Sequence, residues 1–224
     1  KLNYILIATL GLGAFNISTA QTKPTPATAT PAKEEVKQPE KPKEFQGRTL
    51  DKIKNTGKIV IGVRTSSLPL SYTDNFKEDG RPMGYALDIC NSIAEKYKVK
   101  YSLQGVQTQY VFVTAKNRIP LVQDGTVDME CGSTTNNASR RKDVTFSIPY
   151  YIASAKIITL SKRNDLQNLD SLKGKSIAYI KGSTMDTTIT DYNNNRNLNI
   201  KKVEVASPDE AFAKIADGSV DSFA

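Results

Sequence analysis

VQDGTVDME (Val122–Glu130) and IADGSVDSF (Ile215–Phe223) share one frame, Asp-Gly-(Thr/Ser)-Val-Asp, where an apolar run of helical spacing gives way to a short strand-like run. An Asp-Gly pair ends a helix because glycine adopts the left-handed conformation without penalty. The Val-Asp that follows starts a strand whose valine faces a core. The same helix-to-strand junction used twice predicts two lobes built alike.

Working outward from the first copy, LDKIKNTGKIVIGV (Leu50–Val63) reads as a short helix closed by Gly57 and a buried strand over Ile59–Val63. In GYALDICNSIAEKYK, the residues Leu87, Cys90, Ile93, Ala94 and Tyr97 recur at helical spacing, and a strand is expected around Val99–Val106. Arg118–Asp124 reads as a helix stopped by Gly125, with a strand over Val127–Cys131. Around the second copy, KSIAYIKG is a strand. SPDEAFAKIADG carries Ser207 as N-cap, Pro208 at the first helical position, Glu210 at the capping-box position and Gly218 as the stop. Alternating strands and helices argue for α/β sheets covered on both faces. Two such lobes leave a cleft, and ligands of α/β sheets bind beyond the carboxyl ends of the strands.

The start of the 224-residue chain is different in kind. Asn3–Phe15 is uncharged and mostly apolar, and Ser18-Thr19-Ala20 offers the small residues of an export-peptidase site, so residues 1–20 read as a secretory signal peptide. The apolar run is short of the ~20 residues that span a bilayer. Residues 21–47, rich in proline, threonine, lysine and glutamate and poor in large apolar side chains, read as a solvated linker, with a Pro-rich docking peptide as the alternative. Lobe one is expected over residues 48–152 and lobe two over 153–224.

Net charge is +8, but lysines are scattered among acids instead of forming a stripe with aromatics, which argues against nucleic acid as a partner. A mildly basic surface suits an anionic solute; a solvated lysine face explains it equally well. The chain has no histidine, which removes the commonest general base and metal ligand, and its two cysteines match no metal spacing, so neither a metal nor a cofactor is expected. Cys90 and Cys131 are permitted to pair in an oxidising compartment, and two separately buried thiols are an equal alternative.

Three arginines stand beside element ends: Arg64 after the first buried strand, Arg118 before IPLV, and Arg140 after the hydroxyl-rich ECGSTTNNAS. Guanidinium binds carboxylate through two parallel hydrogen bonds and keeps its charge. Ser133, Thr134 and Thr135 add donors where a strand ends, a geometry that serves either a bound carboxylate or only a turn. In the second lobe KGSTMDTT places Ser183 before a helix, as ligand contact or plain cap.

RTSSLPLSY (64–72), NRIPLVQDGTVDMECGSTTNNASR (117–140) and FSIPY (146–150) resemble the exported solute-binding proteins of amino-acid uptake systems, in particular those for glutamate and aspartate. The resemblance covers Leu50 to the last residue. It implies a two-lobed α/β fold of the type II periplasmic-binding-protein class, the Venus flytrap, with its C-terminal part missing. It also implies a monomer in the periplasm that hands glutamate or aspartate to an ABC transporter permease, without being an enzyme. By position, Arg140, helped by Ser133 and Thr135, would take the ligand α-carboxylate; Arg64 and Arg118 would take the side-chain carboxylate; Ser183 would contribute from lobe two. Ala115, Ile180, Ser183 and Pro208 depart from the family pattern, and they bear on the choice between glutamate and aspartate. The aspartate that holds the ligand ammonium in this family would follow Phe223, so a fragment is expected, with binding weakened by about 3–5 kcal/mol for want of that carboxylate. Other uses of the same scaffold are a dehydratase, a cell-wall lyase or a receptor sensor. A catalyst needs a poised acid or base, whereas Asp124, Asp128, Asp217 and Asp221 all flank turns, where caps are the commoner role.

Overall fold

The computed structural model describes residues 2–6 and 48–224; the remainder of the expected export leader and the whole of the expected linker lie outside the described residues. Along the chain come β1 (Leu2–Leu6), α1 (Arg48–Thr56), β2 (Lys58–Val63), β3 (Ser66–Ser67), β4 (Ser71–Thr73), β5 (Pro82–Met83), α2 (Tyr85–Lys100), β6 (Gln107–Phe112), α3 (Arg118–Gln123) and β7 (Met129–Glu130). After a 3-10 turn at Arg140–Lys142 follow β8 (Lys156–Leu160), β9 (Ser176–Tyr179), α4 (Thr184–Arg196), β10 (Lys201–Glu204), α5 (Pro208–Ala216) and β11 (Ser222–Phe223). The first lobe is built on a parallel sheet of order β6-β2-β7, with β3-β4-β5 as a small antiparallel ribbon beside it. The second sheet runs β1-β8-β11-β9-β10, parallel from β11 to β10 and antiparallel at β8 and β1.

Central strands are buried on both faces, as parallel sheets require. Ile59, Ile61 and Val63 of β2 pack with Ile53 of α1 and Leu87, Cys90 and Ala94 of α2. Val60, on the opposite face, meets Val113 and Val127, with Leu121 of α3 against them. In β9, Ile177 joins Ile157, Leu172 and Ile189, while Ala178 turns to Ala211, Ile215 and Phe223. Each fully buried isoleucine contributes roughly 1.5–3 kcal/mol.

The repeated frame has the same architecture in both lobes. Gly125 and Gly218 are left-handed at φ 78° and 82°. Thr126 N–H donates to Asp124 Oδ1 and Ser219 N–H to Asp217 Oδ1, each at 2.8 Å. Val127 and Val220 are buried. The last aspartate of each copy closes the junction. Asp128 accepts from Val60 N–H at 2.7 Å and pairs with Lys52 at 3.0 Å. Asp221 accepts from Ser176 N–H at 2.7 Å and pairs with Arg163 at 2.6 Å. These acids are structural caps, as their positions beside turns predict.

Several expectations are corrected. Val99 continues α2, and the next strand starts only at Gln107, because Ser102 and Gly105 both take positive φ and prevent an extended run over Val99–Val106. Ile93 lies on the solvent side of α2 at 46% exposure. The strand expected over Val127–Cys131 pairs only at Met129–Glu130. Of the two alternatives left open for Cys90 and Cys131, the structure has the disulfide, which joins α2 to the residue after β7. Leu2–Leu6, inside the expected leader, pairs antiparallel with β8, which neither supports nor overturns the leader reading.

Candidate functional site

Arg64 follows the last residue of β2, and its backbone N–H donates to the fully buried Ser71 hydroxyl at 2.9 Å. Arg118 opens α3 after a turn in which Thr114 N–H donates to Asn117 Oδ1 at 2.7 Å. Both arginines are buried. Beyond β7, Ser133 donates to Ser67 Oγ at 3.2 Å, which joins the segment after β7 to β3. Ser183 caps α4 by accepting from Asp186 N–H at 3.3 Å, leaving its own O–H as a donor.

Arg64, Arg118, Ser133, Thr135 and Ser183 line one cavity of about 280 Å³ between the lobes, with Ser66, Ser67 and Ala115 from lobe one and Ile180, Thr184 and Pro208 from lobe two. That volume suits a molecule the size of one amino acid. Arg140 stands apart from this lining. Its Nη1 donates to the Thr135 carbonyl and its Nη2 to the Gly182 carbonyl, both at 3.0 Å, the second bond crossing from lobe one to lobe two. Guanidinium carries five N–H donors, so three stay available. A further bridge, Lys116 to Glu204 at 2.8 Å, also joins the lobes. It borders a second cavity of about 410 Å³ that shares Arg64 with the first.

Burial pushes Arg118 down to about 10; Glu130 opposes that shift, while Arg64 and Arg140 reinforce it. Arg64 and Arg140 are lowered by burial as well, again against the pull of Glu130. All three remain cations at neutral pH. The site thus gathers three positive charges, two of them on buried arginines, with hydroxyl donors around them, an arrangement of the kind that pairs with carboxylate. Among the described residues no group of acids and cysteines is arranged to hold a metal ion.

Glu130 is a site component that the sequence reading left without a role. It ends β7, its carboxyl is raised by burial, and Arg118, Arg64 and Arg140 all act on it in the opposite sense. Its only sequence signal is an acid inside a run otherwise patterned as a buried strand. Ser66 and Ser67 sit within a quoted stretch but were not singled out. Gly182, whose carbonyl receives Arg140, was visible only as part of a helix cap.

Residues 59–223 match the bacterial extracellular solute-binding proteins, family 3. The chain is 35% identical over 177 residues to the glutamate/aspartate import solute-binding protein of Escherichia coli (strain K12), covering 79% of this chain and 57% of that protein. It is 34% identical over 140 residues to a glutamine-binding protein of Geobacillus stearothermophilus, covering 61% of this chain and 50% of the other. Its fold is similar to that of an ancestral amino acid-binding protein, a precursor of cyclohexadienyl dehydratase, at a TM-score of 0.65 and 24% identity, covering 79% of this chain and 73% of that one. The chain therefore spans little more than half the length of the curated relatives it matches.

Proposed function

Starting from the fact that the chain belongs to the bacterial extracellular solute-binding proteins of family 3, we propose that it captures an acidic amino acid, glutamate or aspartate, and delivers it to an ABC transporter permease. The observation that carries this reading is the burial of Arg64 and Arg118 in the wall of one amino-acid-sized cavity. Two buried guanidiniums that share a single nearby carboxyl, Glu130, remain under-compensated, and a ligand that brings carboxylates relieves that cost. A neutral side chain does not.

In this reading Arg64 and Arg118 hold the side-chain carboxylate, and Ser133 and Thr135 donate to the α-carboxylate. Arg140 serves the α-carboxylate with its remaining N–H groups while its bonds to Thr135 and Gly182 fix its plane. Ser183 contributes a hydroxyl from lobe two, so the ligand touches both lobes and favours their approach. Binding without turnover is the reading for the acids as well: Asp186 is paired with Lys202 and Asp221 with Arg163, which leaves neither poised for proton transfer. Export to the periplasm, action as a monomer and a permease partner belong to the same proposal, supported by the similarity to an import solute-binding protein.

Arg118→Met tests the assignment. Loss of a charge-assisted pair costs about 1.5–3 kcal/mol, or about 10- to 150-fold in affinity. The variant is expected to lose that factor for glutamate and aspartate in calorimetry while its affinity for glutamine stays the same. Equal losses for glutamate and glutamine would remove Arg118 from the side-chain role. Failure of the unaltered chain to bind either diacid would remove the ligand class.

A further inference from the structure

Beneath the arginines lies a carboxylate that the fold does not require. The repeated frame allows a direct comparison: DGTVDME in lobe one corresponds to DGSVDSF in lobe two, so Glu130 stands where the second lobe has Phe223, a core residue 9% exposed. The same junction is thus built elsewhere in this molecule with an apolar side chain. Glu130 is also badly housed as a structural acid. Its Oε1 is sealed from solvent without a hydrogen-bond partner, and so are Arg118 Nε and Thr134 Oγ1. Two residues earlier, just before β7, Asp128 is engaged by Val60 N–H and Lys52. Glu130 and Arg64 crowd one spot: a Cβ on residue 132 would stand 2.5 Å from Glu130 Oε1 and 3.0 Å from Arg64 Cγ, so a side chain there would displace them.

We propose that Glu130 is the resident counter-ion of the arginine cluster, and that it takes up a proton from solvent when a diacid ligand claims the guanidiniums. This rests on the acidic-ligand reading above. In the empty cleft one carboxylate offsets part of the repulsion among three cations. On loading, the ligand carboxylates take over Arg64 and Arg118, and their negative charge makes ionised Glu130 unfavourable. One proton moves from water to the Glu130 carboxylate, and no other bond changes.

The groups that face Glu130 agree with this. Arg64 at the end of β2, Arg118 on α3 and Arg140 on the 3-10 turn favour its ionised form, whereas burial favours the neutral form and is the largest influence. Tyr150, on the crossover, donates its hydroxyl to the Gly132 carbonyl and is itself raised by burial and by Glu130. Burial and the three cations act on Glu130 in opposite senses, and an added anion acts in the same sense as burial. The loaded state then binds more protons than the empty one, so affinity falls as pH rises through the window between the two Glu130 values.

Calorimetry of L-glutamate binding to the whole chain, repeated from about pH 5 to 8 in buffers of different ionisation enthalpy, reads the protons directly. Expected are net proton uptake and, where half a proton is taken up, an affinity that falls about threefold per pH unit. Glu130→Gln should show neither. Glutamate binding without proton uptake, or with equal uptake in Glu130→Gln, would overturn the proposal and leave the ligand reading intact. No binding of glutamate or aspartate would overturn both. If the variant does not fold, a carbon NMR titration of the Glu130 carboxyl in the unaltered chain decides: a value raised by added glutamate supports the proposal, and an unchanged one ends it.

Discussion

Gly182 sits at φ +80° where lobe two touches lobe one, and a Cβ built on it would stand 2.8 Å from the Ala115 carbonyl oxygen and 3.2 Å from Lys116 Cα. Both obstacles are backbone and cannot swing aside. Gly182→Ala therefore imposes two distinct penalties. Left-handed backbone costs an alanine about 1–2 kcal/mol whether or not the lobes meet. Overpacking against Ala115 costs roughly another 1–3 kcal/mol, and only when they do. The cavity is walled by Arg64 and Arg118 from one lobe and Ser183 and Ile180 from the other, so the second penalty falls on the arrangement in which the lobes meet around it. Displacing Gly182 also disturbs the carbonyl that receives Arg140 Nη2.

Gly174 supplies the control inside the same lobe. It has φ +71°, and nothing lies within 4 Å of its built Cβ, so Gly174→Ala incurs the backbone cost alone. Thermal melts should fall by similar amounts in the two variants. Calorimetric titration with glutamate should separate them: unchanged affinity for Gly174→Ala, and a loss of about 5- to 150-fold for Gly182→Ala. Wild-type affinity in Gly182→Ala, or an equal loss in both, would refute the idea that this backbone contact forms part of the loaded state.

Arg140→Met should lower glutamate affinity by at least the 10- to 150-fold of a lost charge-assisted pair, about 1.5–3 kcal/mol, with a small change in melting temperature, because its backbone bonds to Thr135 and Gly182 sit at the cleft and not in a core; cooperative unfolding at ambient temperature would make it structural. Reducing the Cys90–Cys131 disulfide opens a loop of 41 residues and should destabilise the chain by about 4 kcal/mol on the loop-entropy scale, read as a lowered melt in dithiothreitol. Burial works to raise the Asp221 carboxyl, but the Ser176 N–H, Arg163 and the Ser176 hydroxyl hold it below the usual range. Its stabilisation is thus present above the unfolded value and lost as pH falls through the folded one. Asp221→Asn should cost about 1.5–3 kcal/mol at neutral pH and flatten the acid limb of a stability-against-pH curve.

Wherever local chemistry decides the outcome, the chain could be read residue by residue. Ser207, Pro208 and Glu210 start α5 as the capping pattern predicts, with Ser207 Oγ accepting from Glu210 N–H, although the Glu210 carboxylate accepts from Ala206 N–H, one residue before the cap. The Asp-Gly turns, the buried β2 strand and five members of one cavity were accessible for the same reason. Long-range geometry was not. The disulfide depends on how α2 packs over β7, which two isolated cysteines do not encode. The alternation over Val99–Val106 reads as a strand until the positive φ of Ser102 and Gly105 is known. Glu130 and Gly182 act through neighbours that are distant in sequence, so no local pattern marks either.

The choice of arginine at the cleft follows from the same burial that makes it selective. Arg118 is 4% exposed, and burial brings it down to about 10 while Arg64 and Arg140 push in the same direction. A lysine begins from a lower ordinary value, so an equal displacement would bring its ammonium close to neutral pH and discharge part of the population. It would also trade a planar fork for a point charge. Guanidinium has reserve enough to stay cationic where it is buried. A site that recognises an anion by concentrating buried cations works only with side chains that remain charged there, and on this argument Arg118→Lys is as disruptive at alkaline pH as removing the charge outright.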